Sequence, residues 1–309
     1  MFKKPVCFRP GLSKVLVAVG PLFLVACGGG GTPAAEAESP APLDVGIDFV
    51  ARAGDQQIRC AEPITGLGIG GVTADLRDLR FYVSDVALLD EDEQPVPVTL
   101  EVNEWQTDRV TLIDLEDGTG ACEGGSTATN FQITGKVPAG IYKGVRMTIG
   151  VPSSDNHSDY AVATAPLDIQ AMAWSWQAGR KFMKIEVDPV GGVERPAPAA
   201  PGRSFYVHLG STGCTGNPVT GETVSCARSG RMNFQFQEFD MGRQQIAVDL
   251  AGLFQSSNLS VDYGGAAGCM SGETDPECGP IFDALKLDLG SGESIGAGRG
   301  QRIFRVEPK

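Results

Sequence analysis

Two histidines, three tryptophans and eight cysteines are the residues of this 309-residue chain from which soft-metal or redox chemistry could be built. The densest grouping runs from Asn156-His157-Ser158-Asp159 through Pro166-Leu167-Asp168 to Met172-Ala173-Trp174-Ser175-Trp176 and Gly179-Arg180-Lys181-Phe182. If 172–176 is extended, Met172, Trp174 and Trp176 share one face, because strand side chains alternate. The second histidine stands in Phe205-Tyr206-Val207-His208-Leu209-Gly210-Ser211-Thr212-Gly213-Cys214. Alternation there sets Tyr206 and His208 opposite Phe205, Val207 and Leu209, so an apolar trio in the core points His208 away from it. Two imidazoles meeting near a pair of indoles would make a nitrogen-rich, partly soft site that suits copper better than calcium or magnesium. Each feature also has a plainer reading: the tryptophans as a core stripe, the histidines as structural or solvated.

Other chemistries are poorly supplied. Asp90-Glu91-Asp92-Glu93 and Asp155 to Asp159 offer oxygens to a hard cation but lack the spacing of an EF-hand loop. There is no G-x-S-x-G elbow, P-loop, H-E-x-x-H or C-x-x-C-H motif, and no recognisable nucleophile accompanies either histidine. The chain therefore does not read as an enzyme. With 25 basic against 38 acidic residues, it has nothing with which to neutralise nucleic-acid phosphates.

The elements that must position these residues begin after an export signal. Lys3, Lys4, Arg9 and Lys14 precede the uncharged apolar run Val15 to Ala26, too short to span a bilayer comfortably. The run closes in Leu24-Val25-Ala26-Cys27, the pattern of a bacterial lipoprotein box. Residues 1–26 thus read as a signal peptide, and Cys27 as the lipidated mature N-terminus. Residues 27–42, rich in Gly, Ala and Pro, read as a flexible tether. Gly28 after the lipidated cysteine resembles lipoproteins sent to the outer membrane. The expected location is the cell envelope, facing the periplasm or the cell surface.

Six cysteines then remain in an oxidising compartment, and three disulfides are the default. Short loops favour Cys214–Cys226 and Cys269–Cys278, leaving Cys60–Cys122. A cysteine metal cluster competes weakly, since no C-x2-C pair is present. Strand signals dominate residues 43–309: Val45 to Arg52, Leu79 to Leu89, Val96 to Val102, Arg109 to Leu115, Ala139 to Gly150, Phe182 to Val187, Arg203 to Leu209, Arg231 to Phe236 and Gln244 to Asp249. Helical patterning is confined to a turn within Ile246 to Leu253 and a short helix at Ile281 to Leu285. The expectation is one all-β domain, an antiparallel two-sheet sandwich or barrel with long loops and few short helices.

The ordered series of these segments resembles the copper-associated MbnP-like lipoproteins of the metallo-mystery pair, in their four-Cys, W-x-W branch. The resembling stretches are Asp78 to Leu89, Trp105-Gln106 through Asp114-Leu115, Gly140 to Val151 with Asn156-His157, Pro166-Leu167 through Trp174-Ser175-Trp176 to Lys181-Phe182, His208 to Cys214, Val248-Asp249-Leu250, and Gly268-Cys269-Met270-Ser271 to Cys278. The resemblance implies copper binding and a di-haem partner of the cytochrome c peroxidase type, which oxidises a tryptophan to kynurenine. It assigns His157 and His208 as copper ligands, Trp174 as the first candidate for oxidation and Trp176 as the second. Met172 is a weaker soft contact. Some relatives carry histidine where this chain has Trp176, and an aromatic residue where it has Arg180. The competing expectation is a β-sandwich lipoprotein that binds a protein or ligand without metal.

Overall fold

Val72–Asp90 is a single strand of 19 residues at the centre of the structure, a computed structural model that describes residues 40–175 and 177–309. The segment expected to be a signal peptide, Cys27, most of the expected tether and Trp176 lie outside the described residues. Leu79, Phe81, Tyr82 and Val83 are fully buried although they point to both faces of this strand, which is why Phe81-Tyr82-Val83 stand together without a polar residue between them. Its first half pairs antiparallel with Met183–Pro189 and Val110–Asp114, its second half with Tyr142–Ile149 and Pro95–Pro97. Along one edge Val110–Asp114 gives way to Pro95–Pro97 at a bulge between Ser84 and Ala87, where Asp85 adopts φ 51° and its carboxylate receives Arg231 at 2.7 Å. Across the sheet the order is Phe205–Leu209, Met183–Pro189, Val72–Asp90, Tyr142–Ile149, Met232–Phe236.

A second sheet runs in the order Phe304–Pro308, Gln244–Asp249, Leu43–Ala53, Gln132–Val137, Thr99–Leu100. The all-β class expected from the sequence is the one observed, with several antiparallel sheets, one of them a half-barrel. One pair, Leu43–Ala53 with Gln244–Asp249, is parallel. The segment expected as one strand over Val96 to Val102 is two short pieces. Pro95–Pro97 stays with the long strand, while Thr99–Leu100 joins Gln132–Val137 in the other sheet. Two prolines without N–H groups cannot extend a ladder, and the chain crosses between sheets there. Among the described residues, no helix is long and apolar enough to cross a membrane.

The sheets meet through aromatic side chains. Phe81 from the first sheet packs edge-on to Phe49 and Phe304 from the second at 5.5 and 5.7 Å between ring centroids, and Phe234 stacks on Phe304 at 4.5 Å. Phe304, 3 % exposed, is thus the ring that joins both halves. Replacing it with Ala should cost about 3–5 kcal/mol of stability, read from urea denaturation with the disulfides oxidised. A loss below about 1 kcal/mol would show that the sheets are joined elsewhere.

Two short helices prop the sheet that carries His208. Leu250–Phe254 is capped by Asp249, whose carboxylate accepts from the N–H groups of Ala251 and Gly252 at 3.0 and 3.3 Å. Phe254 then meets Phe205 edge-on at 5.9 Å. Cys278–Leu285 packs beside it and is tied back by Cys269–Cys278. All three expected disulfides are formed.

Candidate metal centre

The strand Phe205–Leu209 alternates as its sequence requires: Phe205, Val207 and Leu209 enter the core, and Tyr206 and His208 face the other way. His208 is nevertheless buried, at 7 % exposure, because that face carries its own polar layer. Across the sheet His208 lies opposite Lys184, and Lys184 opposite Arg80; Tyr206 lies opposite Glu186, and Glu186 opposite Asp78. Lys184 reaches Glu186 at 2.9 Å and also contacts Asp78, which accepts from Arg80 Nε at 2.9 Å. A basic row of His208, Lys184 and Arg80 thus lies beside an acidic row of Glu186 and Asp78, and each of these buried ions has its counter-ion in the neighbouring row.

His208 Nε2 is 2.8 Å from the Glu186 carboxylate. Burial by itself would raise the Glu186 pKa, but the His208 hydrogen bond and the Lys184 charge overcome it and hold the group at about 2. Glu186 is therefore an acceptor only, and Nε2 carries the proton it receives. Burial also holds the imidazole below its ordinary value, against the opposing pull of Glu186. The ring is neutral at pH 7, with its lone pair on Nδ1.

Beside this strand runs the Cys269 loop. His208 N donates to Cys269 O at 2.9 Å and Cys269 N to Tyr206 O at 2.8 Å, a parallel bridge that sets Val207 against Cys269. Cys269, like Val207, is buried in the core, which puts Met270 at the His208 register on the opposite face. Ser271 Oγ pins the loop by donating to His208 O at 2.9 Å and accepting from Gly210 N at 3.1 Å.

Trp174 completes the arrangement from the short strand Ala173–Ser175, paired with Gly179–Arg180. The outer edge of its indole lies over Gly210, two residues beyond His208. A Cβ at Gly210 would stand 2.5 Å from Cζ3 and 2.7 Å from Cη2 of the ring, so only glycine admits this approach. Half-buried Trp174 and half-buried Met270 line one cavity of about 260 Å³, together with Ser175, Ser211 and Cys214. On its other side Trp174 borders a wider hollow with Tyr160, Pro218 and Val219. Neither histidine lines the cavity itself.

Met172, expected on the Trp174 face, is not there. It ends a 3₁₀ turn, Gln170–Met172, rather than extending the strand, and its side chain is fully buried in the hydrophobic core. The period-two expectation does not hold for Met172, because the extended segment begins only at Ala173. Trp176 lies outside the described residues. His157 follows the one-turn helix Ser153–Asn156, and its Nε2 stands 3.1 Å from Asn156 Nδ2 and 3.4 Å from Cys226 Sγ. The structure thus gives the two histidines different neighbours, a carboxylate for His208 and a disulfide for His157. Met270, which the spacing argument passed over, is the thioether brought beside Trp174. Its signal was its place next to Cys269, in a loop that a disulfide fixes.

Arg180 has a structural role of its own. The side chain is buried and, among the described residues, donates to backbone carbonyls: Asp155 at 2.6 Å, Asn156 at 3.0 Å, and Leu167 at 3.1 and 2.7 Å. It staples the 155–168 loop to the Trp174 hairpin. Arg180→Met should orphan these carbonyls and destabilise the protein by about 3 kcal/mol or more. Limited proteolysis should then cut the 155–168 loop first; unchanged resistance and stability would show the loop is held by other contacts.

Two sheets joined by aromatic rings, three cystines and a tryptophan cavity at a sheet edge place this chain in a class of disulfide-braced all-β folds. Within that class, the MbnP family model matches residues 42–271, and the chain belongs to the MbnP family. MbnP from Methylosinus trichosporium has a similar solved structure, 37 % identical, covering 87 % of this chain and 99 % of that one with a TM-score of 0.79. No curated protein matches. Membership supports a copper-related role.

Proposed function

We propose that this protein binds copper beside Trp174, with His208 Nδ1 and the Met270 thioether as its donors, once Trp174 has been oxidised to kynurenine by a di-haem partner of the cytochrome c peroxidase type. The observation that carries this reading is the convergence on one sheet face of a neutral imidazole, a thioether and an accessible indole. Nitrogen and thioether together favour copper over the hard cations. Intact indole offers only an N–H donor, whereas four-electron cleavage of its C2–C3 bond by peroxide at the partner's haems, followed by hydrolytic loss of C2 as formate, exposes an aromatic amine and a carbonyl. That difference is why modification precedes binding. Trp174 borders two hollows, so its ring is open to an electron acceptor docking from outside.

In this reading Glu186 orients His208, Gly210 seats the ring, and Ser271 holds Met270 in register. His157, expected from the sequence as a second ligand, is not required by this donor set. The chain is then its partner's substrate and a metal carrier, not a catalyst. Held to the outer membrane through lipid on Cys27, it would act in copper acquisition or handling. The test is copper stoichiometry and affinity of protein produced with and without the di-haem enzyme. Tight binding of one copper only after co-production supports the reading; equal binding by unmodified protein overturns it.

A further inference from the structure

The hairpin of Thr212–Thr215 and Ser225–Arg228 stands apart from both main sheets as a two-stranded ribbon, with Cys214 and Cys226 directly opposed. Both cysteines of this disulfide are half-buried, whereas Cys60, Cys122, Cys269 and Cys278 are at most 3 % exposed. An external thiol therefore meets Cys214–Cys226 first. His157 Nε2 lies 3.4 Å from Cys226 Sγ, and the donor atoms of His157, Cys214 and Cys226 all lie within 4.8 Å of one another.

The orientation of His157 is set by its neighbours. Asn156, 2 % exposed, accepts from Arg180 N at 2.8 Å through Oδ1. Its amide N–H groups therefore face His157 Nε2 at 3.1 Å and Ser211 Oγ at 3.5 Å. A ring nitrogen that receives an N–H holds its one lone pair in that bond, so Nε2 stands beside the sulfur as an acceptor from Asn156, and a cation takes its lone pair by displacing that N–H. In the cystine this sulfur has no hydrogen to give and is a poor metal donor. As a thiolate it is a strong one.

We propose that Cys214, Cys226 and His157 form a redox-gated site for a thiophilic d10 cation, closed as the disulfide and opened by a dithiol reductant. In the opening step, one thiolate of the reductant attacks a cystine sulfur, breaking the S–S bond and forming a mixed disulfide. The second thiol of the reductant then displaces the protein sulfur. The reductant ends as a disulfide, and its two electrons and two protons reside on the Cys214 and Cys226 thiols. Cation binding releases both thiol protons. Two zinc-bound sulfurs lie about 3.7 Å apart in tetrahedral geometry, so the ribbon must widen by a small amount, which a two-stranded element outside the main sheets accommodates. The site does not depend on the copper reading, since it needs neither Trp174 nor its oxidation.

The test uses the full chain, treated with limiting dithiothreitol that is then removed anaerobically, and Zn(II) as the probe in competition with a chromophoric chelator. Peptide mapping after alkylation should find label on Cys214 and Cys226 before the other four cysteines. The reduced protein should bind one zinc that the oxidised protein does not. The double variant Cys214→Ser/Cys226→Ser should bind none with an unchanged circular dichroism spectrum, and His157→Ala should weaken binding by about tenfold or more. Earlier labelling of another cysteine pair, loss of the fold on opening this one, or zinc binding unaffected by His157→Ala would each overturn the proposal.

Discussion

His208→Ala should abolish tight copper binding, with a fall in affinity of more than about 100-fold, while the fold stays intact. The side chain is placed by two neighbours with opposite effects: Glu186 takes the Nε2 proton, and burial keeps the ring neutral, leaving Nδ1 as the donor. Its removal does not strand Glu186 as a lone buried charge, because Lys184 at 2.9 Å and Arg77 at 3.4 Å remain. Loss of binding would therefore report the ligand and not a collapsed sheet. Glu186→Gln provides the graded companion. It keeps the shape but removes the ionised acceptor that fixes the tautomer, and should weaken copper by about 10- to 100-fold. Both are read by chelator competition on protein co-produced with the di-haem enzyme. Wild-type affinity in His208→Ala would take His208 out of the site and return His157 to first candidate.

Trp174→Phe should remove modification and copper together. A phenyl ring keeps an aromatic side chain at this position while lacking Cζ3 and Cη2, the indole atoms that approach Gly210. It has no nitrogen-bearing five-membered ring to open, and no aromatic amine can be formed. The variant should show no kynurenine mass increment at this position and only background copper, with an unchanged denaturation midpoint. Trp176→Phe should retain both the increment and the metal. The reverse pattern, modification surviving in Trp174→Phe and lost in Trp176→Phe, would move the reaction to the second tryptophan.

Much of this arrangement was legible in the sequence, because alternation is a strong constraint wherever one face is buried. Phe205, Val207 and Leu209 in the core dictate the opposite direction for His208, and the structure has it so. The disulfides followed from loop length, since Cys214 and Cys226 sit on facing strands and Cys269 and Cys278 bracket one short loop. What failed were inferences needing a boundary or a distant partner. Met172 was placed by an extended backbone that starts one residue later, at Ala173. Glu186 belongs to His208 through strand pairing between segments 22 residues apart, and no local pattern encodes that. Met270 reaches the site through a bridge between Val207 and Cys269, a contact that spacing along the chain does not reveal. The strand Gln132–Val137 did carry a signal, in the alternate burial of Ile133, Gly135 and Val137, but its glycine masked it.

The central claim is that one tryptophan is converted and copper is held there. Peptide mass spectrometry with metal analysis on a single sample tests it, on protein isolated from its own host and from a strain lacking the di-haem enzyme. The host sample should carry a kynurenine increment on the Trp174 peptide with one copper per chain, and the deletion strain neither. Unmodified Trp174 with bound copper, or modified Trp174 without it, would contradict the claim.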